Sequence, residues 1–518
     1  MLYNRVAAWN RFAGDILRGV EGEDGRPLPA CAGRTSRAQA TTVSSSRFGR
    51  GASLLEGPIV PSLLKIAVPI VLANILASAY QLTDAFWVGR LGGDAVAAVS
   101  VSFPVIFVMI AVGMGFGIAG STLVAQYMGA GNQRMVNHVA AQTLVMVAIA
   151  SGVLGAIGYA IAPGLLTLMG VEPEVFTGAL QFMRVSFIGL VTVFGFAMFQ
   201  AVLRGVGQVT LPLYIVLGTV ILNFVLDPLF IFGWRMIPAG GVGGAAYATL
   251  VTQTLAAVIG LAALLNGNYG IHLEWRDFRP DWTFVSRAFV LGFPATIEQS
   301  ARGLGMTVMT FLIATFGTVA IAAYGIVTNI FMFVLIPAMG LSMATSALVG
   351  QHIGAGKIER ATRIAHLSAA ISFVSLTVIG LLVFLFAHAT VAFFVPTDAA
   401  VVEVGARFLR IFSLSFGFLG LQLSLIGVFR AAGKTVTTMV LALVSQWVLQ
   451  FPLAYVLGKH TAGGLDAMWW AFPTSMITST LLAVVLFMRG DWKQGRLTGD
   501  AALIEEVTEE ILVEEGVR

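Results

Sequence analysis

The chain has 518 residues, of which 57% are hydrophobic and 11% charged, with 58 glycines and a formal net charge of +4. That composition excludes a soluble globular domain, and the small, dispersed positive excess excludes a nucleic-acid binder. The single cysteine, Cys31, leaves no intrachain disulfide, and the six histidines (His138, His272, His352, His366, His388 and His460) stand singly without metal-ligand spacing.

Residues 1–58 are rich in Arg, Ser, Gly and Ala and hold no apolar core of signal-peptide length, so a mostly disordered cytosolic tail is expected there. Apolar runs then recur near 61–89, 95–125, 138–161, 176–201, 211–233, 241–265, 285–315, 319–347, 364–387, 400–428, 435–457 and 464–488. A helix of about 20 residues crosses roughly 30 Å of hydrocarbon, whereas barrel strands would alternate polar and apolar, which these runs do not. The fold class expected is therefore all-α integral membrane, with twelve transmembrane helices. The acidic stretch from Asp500 to Glu515 carries Leu503, Ile504, Val507, Ile511 and Leu512 at helical spacing, which predicts an amphipathic helix within a C-terminal tail, 491–518.

An even number of spans puts both termini on one side. Breaks on that side carry Arg134, Arg204, Arg276, Arg279, Arg287, Lys357, Arg360, Arg363, Arg430, Lys434, Arg489, Lys493 and Arg496, against Arg90, Arg235 and Lys459 opposite. The positive-inside rule places both termini in the cytoplasm.

The sequence repeats at an offset of about 225 residues. Ala-Gln126-Tyr-Met-Gly129-Ala-Gly131 matches Gly-Gln351-His-Ile-Gly354-Ala-Gly356, Val-Leu-Arg204-Gly-Val-Gly207 matches Val-Phe-Arg430-Ala-Ala-Gly433, and Pro69 matches Pro294. Two six-span lobes, 59–270 and 271–490, follow, related by an axis along the membrane normal and enclosing a central cavity that rocking can open to either side. The halves differ in a consistent way. Asp227 stands opposite Phe451, Asn223 opposite Trp447, Asp84 opposite Met309 and Thr249 opposite Phe472.

An Asp at mid-helix costs roughly 2.5–3.5 kcal/mol on insertion scales, so intramembrane acids point to ions, protons or cationic ligands. Asp84 lies about 8 Å of helix before Gly89, and Asp227 about 9 Å before Gly233, which puts both in the outer half of the first lobe. Pro228 cannot donate to the carbonyl of Phe224, and a freed carbonyl beside Asn223 and Asp227 suits a proton relay or a small hard cation.

At Gln-Leu-Thr-Asp84-Ala-Phe-Trp-Val-Gly89, Arg-Gly-Val-Gly-Gln208 and Asn223-Phe-Val-Leu-Asp227-Pro228 the chain resembles the multidrug and toxic compound extrusion (MATE) family, over about residues 60–490. The resemblance implies two six-helix lobes that export cationic or amphipathic compounds in exchange for inward H⁺ or Na⁺, without a cofactor. It looks like the prokaryotic branch whose coupling carboxylates match Asp84 and Asp227; Asn223 then helps hold the acids, and Thr249 joins them. Another branch places an acid in the tenth span, and from Ile411 to Phe429 this chain has none. Implied partners are small cationic substrates and membrane lipids, with no nucleic acid, around a monomer in a prokaryotic plasma membrane.

Glu298, on the seventh span, stands opposite Ala73 and one turn from Arg302. Both a substrate-contacting carboxylate and a structural ion pair fit that spacing. Gly115-Phe-Gly117-Ile-Ala-Gly120 matches the dinucleotide fingerprint in letters only; inside an apolar helix it predicts close helix packing. An antiporter is the leading reading. A flippase for lipid-linked oligosaccharides is the alternative, disfavoured because unpaired acids select cations. An enzyme is not expected, since no Asp-rich metal motif or Ser-His or Cys-His arrangement appears.

Overall fold

The computed structural model describes residues 55–234 and 238–499. The predicted amphipathic stretch Asp500–Glu515 and nearly all of the N-terminal tail lie outside the described residues. Twelve helical spans follow the expected order. The first lobe comprises α1 (Ile59–Gly89), α2 (Gly93–Gly129), α3 (Gln133–Leu168), α4 (Pro173–Gly205), α5 (Thr210–Phe232) and α6 (Gly241–Leu265). In the second, α7 (Trp282–Ala314), α8 (Thr318–Gly354) and α9 (Ile358–Leu385) are single helices. The remaining spans are interrupted: α10 (Ala399–Ser413 and Phe416–Ala431), α11 (Thr435–His460) and α12 (Gly464–Arg489). Ten of these are each long and apolar enough to cross a membrane, and α10 qualifies as a pair bent by 50°. The twelfth, α7, has 33 residues and carries Arg287, Glu298 and Arg302 along its length.

Several elements depart from the expected spans. Helices α2 and α8 run to Gly129 and Gly354, past the expected ends at 125 and 347, and they do so alike because the repeat governs both. The bend in α10 has no proline. It falls where Ser413 and Ser415 turn their hydroxyls back to the carbonyls of Arg410 (2.9 Å) and Phe412 (2.7 Å), a back-bonding that bends helices. In α11 the stretch Val444–Gln450 is π-helical and ends two residues before Pro452.

The starts of α2 and α8 are made by Gly92 and Gly317, at φ 111° and 98°, a left-handed region that favours glycine. Elsewhere short polar side chains cap: Asn132 accepts from the backbone N–H of Met135 (3.1 Å), and Asp281 from that of Phe284 (3.0 Å).

Within each lobe one helix is central, α4 against α2, α3 and α6, and its counterpart α10 against α8, α9 and α12. Across the lobes, α7 packs on α2, and α8 packs on α1 and α2. The crossing is reciprocal in detail. A Cβ on Gly115 of α2 would strike Thr296 of α7, and one on Gly340 of α8 would strike Val71 of α1. Gly120, in the same glycine pattern, meets Thr143 and Met198. The pattern is thus helix packing, as the sequence predicts.

We call the face where α1 begins the near face and the opposite one the far face. At the near face the lobes are tied by a second reciprocal pair. Gln126 Nε2 of α2 donates to the carbonyl of Ala431 (2.7 Å), and Gln351 Nε2 of α8 donates to that of Gly205 (2.8 Å). Gly129 lies against the carbonyl of Gln351, and Gly354 against that of Gln126. Gln126 also donates to Gly495 (2.9 Å) and accepts from the N–H of Leu497 (2.7 Å), which ties down the segment after α12. The connection between lobes is pinned to the near end of α3: Gln142 Nε2 donates to the carbonyls of Asp277 and Arg279, and its Oε1 accepts from the N–H of Asp281 (2.9 Å).

Candidate functional site

Four sequence-predicted residues come together in the far half of the first lobe. Asn223 and Asp227 are one turn apart on α5, and the amide donates to Asp227 Oδ1 at 2.8 Å. Both are fully enclosed, at 0% exposure. Asp84 of α1 faces them, its carboxyl within interaction reach of both Asp227 and Asn223. Thr249 of α6 donates to Asp84 Oδ2 at a long 3.5 Å. Three elements therefore converge, which matches the packing of α5 on α1 and on α6.

The oxygens left over define what the site can do. Asp84 Oδ1, Asn223 Oδ1 and Asp227 Oδ2 are all buried and have no hydrogen-bond partner. A buried acceptor without a donor is costly, and three in one pocket, two of them on carboxylates, form a set that a proton or a small hard cation satisfies. Among the described residues no group of three His, Cys, Asp or Glu side chains is arranged to hold a metal ion. The oxygen set here rests instead on two acids and an amide.

Sequence reasoning missed two members of this cluster. Tyr80, one turn before Asp84 on α1, shares a 2.6 Å hydrogen bond with Thr252 Oγ1. Thr252, one turn after Thr249, returns a hydrogen bond to the Ala248 carbonyl at 3.1 Å. An uncharged hydroxyl in an apolar helix carries little signal; the clue available was helical spacing from Asp84 and Thr249. Toward the far face Trp87, one turn after Asp84, packs on Phe224 (ring centroids 5.8 Å apart) and Phe232 (6.3 Å). Arg90 sits over the Phe86 ring at 4.6 Å and the Trp87 ring at 5.4 Å.

Glu298 lies apart, in the second lobe. It is fully buried, and its Oε1 accepts from Arg430 Nη2 of α10 (2.8 Å) and from Arg302 Nη2 (3.2 Å). The sequence offered the Arg302 pair; Arg430, 132 positions on, was visible only as a repeat match to Arg204. Arg184, another intramembrane cation, stacks its guanidinium over the Tyr159 ring at 4.8 Å.

Comparison with known proteins agrees with this architecture. A family model described as MatE matches residues 69–229 and 294–456, so that each matched segment begins at one of the repeat-related prolines, Pro69 and Pro294. A probable multidrug resistance protein YoeA of Bacillus subtilis is 28% identical over 435 residues, 83% of this chain and 94% of that protein. A probable multidrug resistance protein NorM of Thermotoga maritima is 27% identical, over 83% and 93%. Among solved structures, an outward-facing multidrug resistance MATE transporter of the MOP superfamily superposes with a TM-score of 0.79 at 23% identity, covering 87% of this chain and all but 1% of the other. With both repeats matched and the twelve-helix, two-lobe fold in place, the chain belongs to the multidrug and toxic compound extrusion family.

Proposed function

We propose that this chain is a secondary active antiporter of the prokaryotic plasma membrane, exporting small amphipathic organic compounds, cationic ones included, in exchange for inward H⁺ or Na⁺. The observation that carries the reading is the trio of unpartnered oxygens on Asp84, Asn223 and Asp227. Adjacent carboxylates repel, and one proton or sodium ion between them removes the repulsion and fills the empty acceptor positions. Loading therefore stabilises a closed arrangement of α1, α5 and α6 that the bare anions oppose.

Asp84 and Asp227 are the ion-binding acids in this reading, Asn223 fixes Asp227, and Thr249 and Tyr80 complete the cage. The charge distribution of the loops supports a near face toward the cytoplasm. The arrangement is then closed to the cytoplasm by the Gln126 and Gln351 ties. Buried Glu298 serves as an internal tie between α7 and α10, which a cargo cation reaches only when Arg430 or Arg302 moves away. Relatives described as probable multidrug resistance proteins support the choice of cargo.

The deciding experiment follows uptake of a fluorescent organic cation into proteoliposomes under an imposed pH gradient or an imposed Na⁺ gradient. Wild-type transport driven by one of them and lost in Asp227→Asn is expected. Equal gradient-driven transport by wild type and Asp227→Asn would overturn the assignment.

A further inference from the structure

The second lobe holds a cavity of about 180 Å³ toward its far half, between α7, α8, α10, α11 and α12. We infer that this cavity is a binding site for aromatic compounds that carry a carboxylate, held by Arg302. The inference rests on the export reading above and narrows its cargo.

Chemistry and position both support it. The cavity's aromatic wall is Phe408, Phe412, Phe472 and Tyr324. Phe408 stacks on the fully buried Trp469 at 4.0 Å and on Phe412 at 5.7 Å, which presents flat, fixed surfaces to a planar ring. Amides and hydroxyls face the same space, and among its lining residues Arg302 is the only charged one. The arginine has charge to spare. Glu298 is one carboxylate shared by two guanidiniums, Arg302 and Arg430, and is itself fully buried, so the cluster carries one unbalanced positive charge. The Arg302 side chain is 39% exposed, and its Nε is buried without a partner. A guanidinium with unused donors beside an aromatic wall matches a planar carboxylate, which accepts two parallel N–H bonds.

The repeat shows that this is a lobe-specific feature. The π-helical stretch Val444–Gln450 brings Ser445, Gln446 and Gln450 to the cavity, and the Gln446 amide rests on Gly305 of α7, where a Cβ would collide with it. π-Helical turns recur at functional sites. By the shared prolines Pro228 and Pro452, the counterpart of this stretch in α5 is the α-helical segment that carries Asn223. Arg302, eight residues after Pro294, has Ala77 as its counterpart after Pro69. The first lobe's acids thus face apolar counterparts, Met309 and Phe451, while the second lobe adds a cation where the first has Ala77. The first lobe's cluster suits a cation, and this cavity suits an anionic group on the cargo.

The test uses two fluorescent probes of one size: 7-diethylaminocoumarin-3-carboxylate and the corresponding neutral 3-carboxamide. Equilibrium binding to the purified full-length protein in detergent, without any gradient, is read by fluorescence anisotropy with empty micelles subtracted. Wild type should hold the carboxylate about tenfold more tightly, the range of one charge-assisted pair. Arg302→Gln should remove that preference while still binding the carboxamide, which shows the variant is folded. Arg302→Lys should keep part of the preference. Gln450→Glu, nearly isosteric, should abolish it by placing a negative charge across the cavity. Phe412→Ala should weaken both probes alike. Failure of wild type to bind either probe, equal binding of the two, or a preference that survives both Arg302→Gln and Gln450→Glu would overturn the proposal. Asp227→Asn should leave the preference intact, so failure of the antiport reading and failure of this one are distinguishable.

Discussion

Each of the two acids in the first lobe leaves one oxygen without a donor, and that incomplete satisfaction decides what substitution should do. Asp227→Asn keeps the volume and the acceptor for Asn223 but removes the charge that, on the proposed reading, a proton or Na⁺ neutralises. Gradient-driven export should fall by more than about tenfold, with the folded state retained because a buried charge has been removed. Asp84→Asn should act in the same direction. Tyr80→Phe makes a subtler test. It deletes the 2.6 Å bond to Thr252 and leaves that hydroxyl to its own helix. A net loss of about 1 kcal/mol should weaken the apparent affinity for the driving ion by about fivefold, with maximal transport unchanged. A fall in maximal rate alone would show that Tyr80 plays no part in holding the ion. The acids were legible in the sequence because charge in an apolar run stands out. Tyr80 and Thr252 were not, because a hydroxyl costs little to place in a helix and only folding reveals its partner. Arg430 was hidden for another reason: its bond to Glu298 spans 132 positions of chain, and spacing arguments reach one or two turns.

At the scale of elements, most span limits could be read from hydropathy alone, while the irregularities could not. The α10 bend needs the rotamers of Ser413 and Ser415, and the π-helical stretch of α11 needs the packing of Gln446 on Gly305; neither leaves a periodic trace. The start of α7 offers a test of local electrostatics outside the membrane. Burial pushes the Asp281 carboxyl upward, but hydrogen bonds from His138 (3.1 Å) and from the backbone N–H groups of Phe284 and Thr283 outweigh this and hold it below the usual carboxylate range. A folded value below the unfolded one means that the unfolded chain binds the proton more tightly. The stabilisation is therefore complete above about pH 4 and is lost as pH falls through the folded value. Asp281→Asn retains an N-cap acceptor and deletes the charge, so it should lower thermal stability by about 1 kcal/mol at pH 7. The gap should be smaller at pH 3, below the unfolded carboxylate range. Thermal unfolding of the two proteins in detergent at both pH values measures it, and an equal gap at both would refute the charge argument.

At the scale of the whole molecule, the repeat supplies a two-fold latch. Gln126 to Ala431 and Gln351 to Gly205 are the same bond made twice, once from each lobe, and Gly129 and Gly354 allow the backbones the close approach that both bonds require. The sequence displayed these motifs as a repeat but could not say that they touch, because the contact joins one lobe to the other. Opening the near face must break both bonds together. Shifting such an equilibrium from 1:99 to 99:1 takes roughly 5.5 kcal/mol, and an inward monovalent cation gains about 2.3 kcal/mol per 100 mV plus its concentration gradient. One or two ions per cycle therefore suffice only if the latch is modest. A handful of neutral hydrogen bonds of about 1 kcal/mol each, the repeated pair with those of Gln126 to Gly495 and Leu497 and of Thr122 to the Arg430 carbonyl, stays within that range, where buried ion pairs across the seam would not. The double variant Gln126→Ala/Gln351→Ala should then open the near face without any driving ion. Spin labels at positions 130 and 355, the C-caps of α2 and α8, on a Cys31→Ser background report the separation. The wild type should show mainly a short distance at the seam, and the double variant a substantial second population at longer distance. Each single variant should give an intermediate shift, the larger for Gln126→Ala, because Gln126 makes three of the bonds and Gln351 one. If the double variant keeps the wild-type distance distribution, the seam is held by helix packing at Gly115 and Gly340, and the glutamines only decorate it.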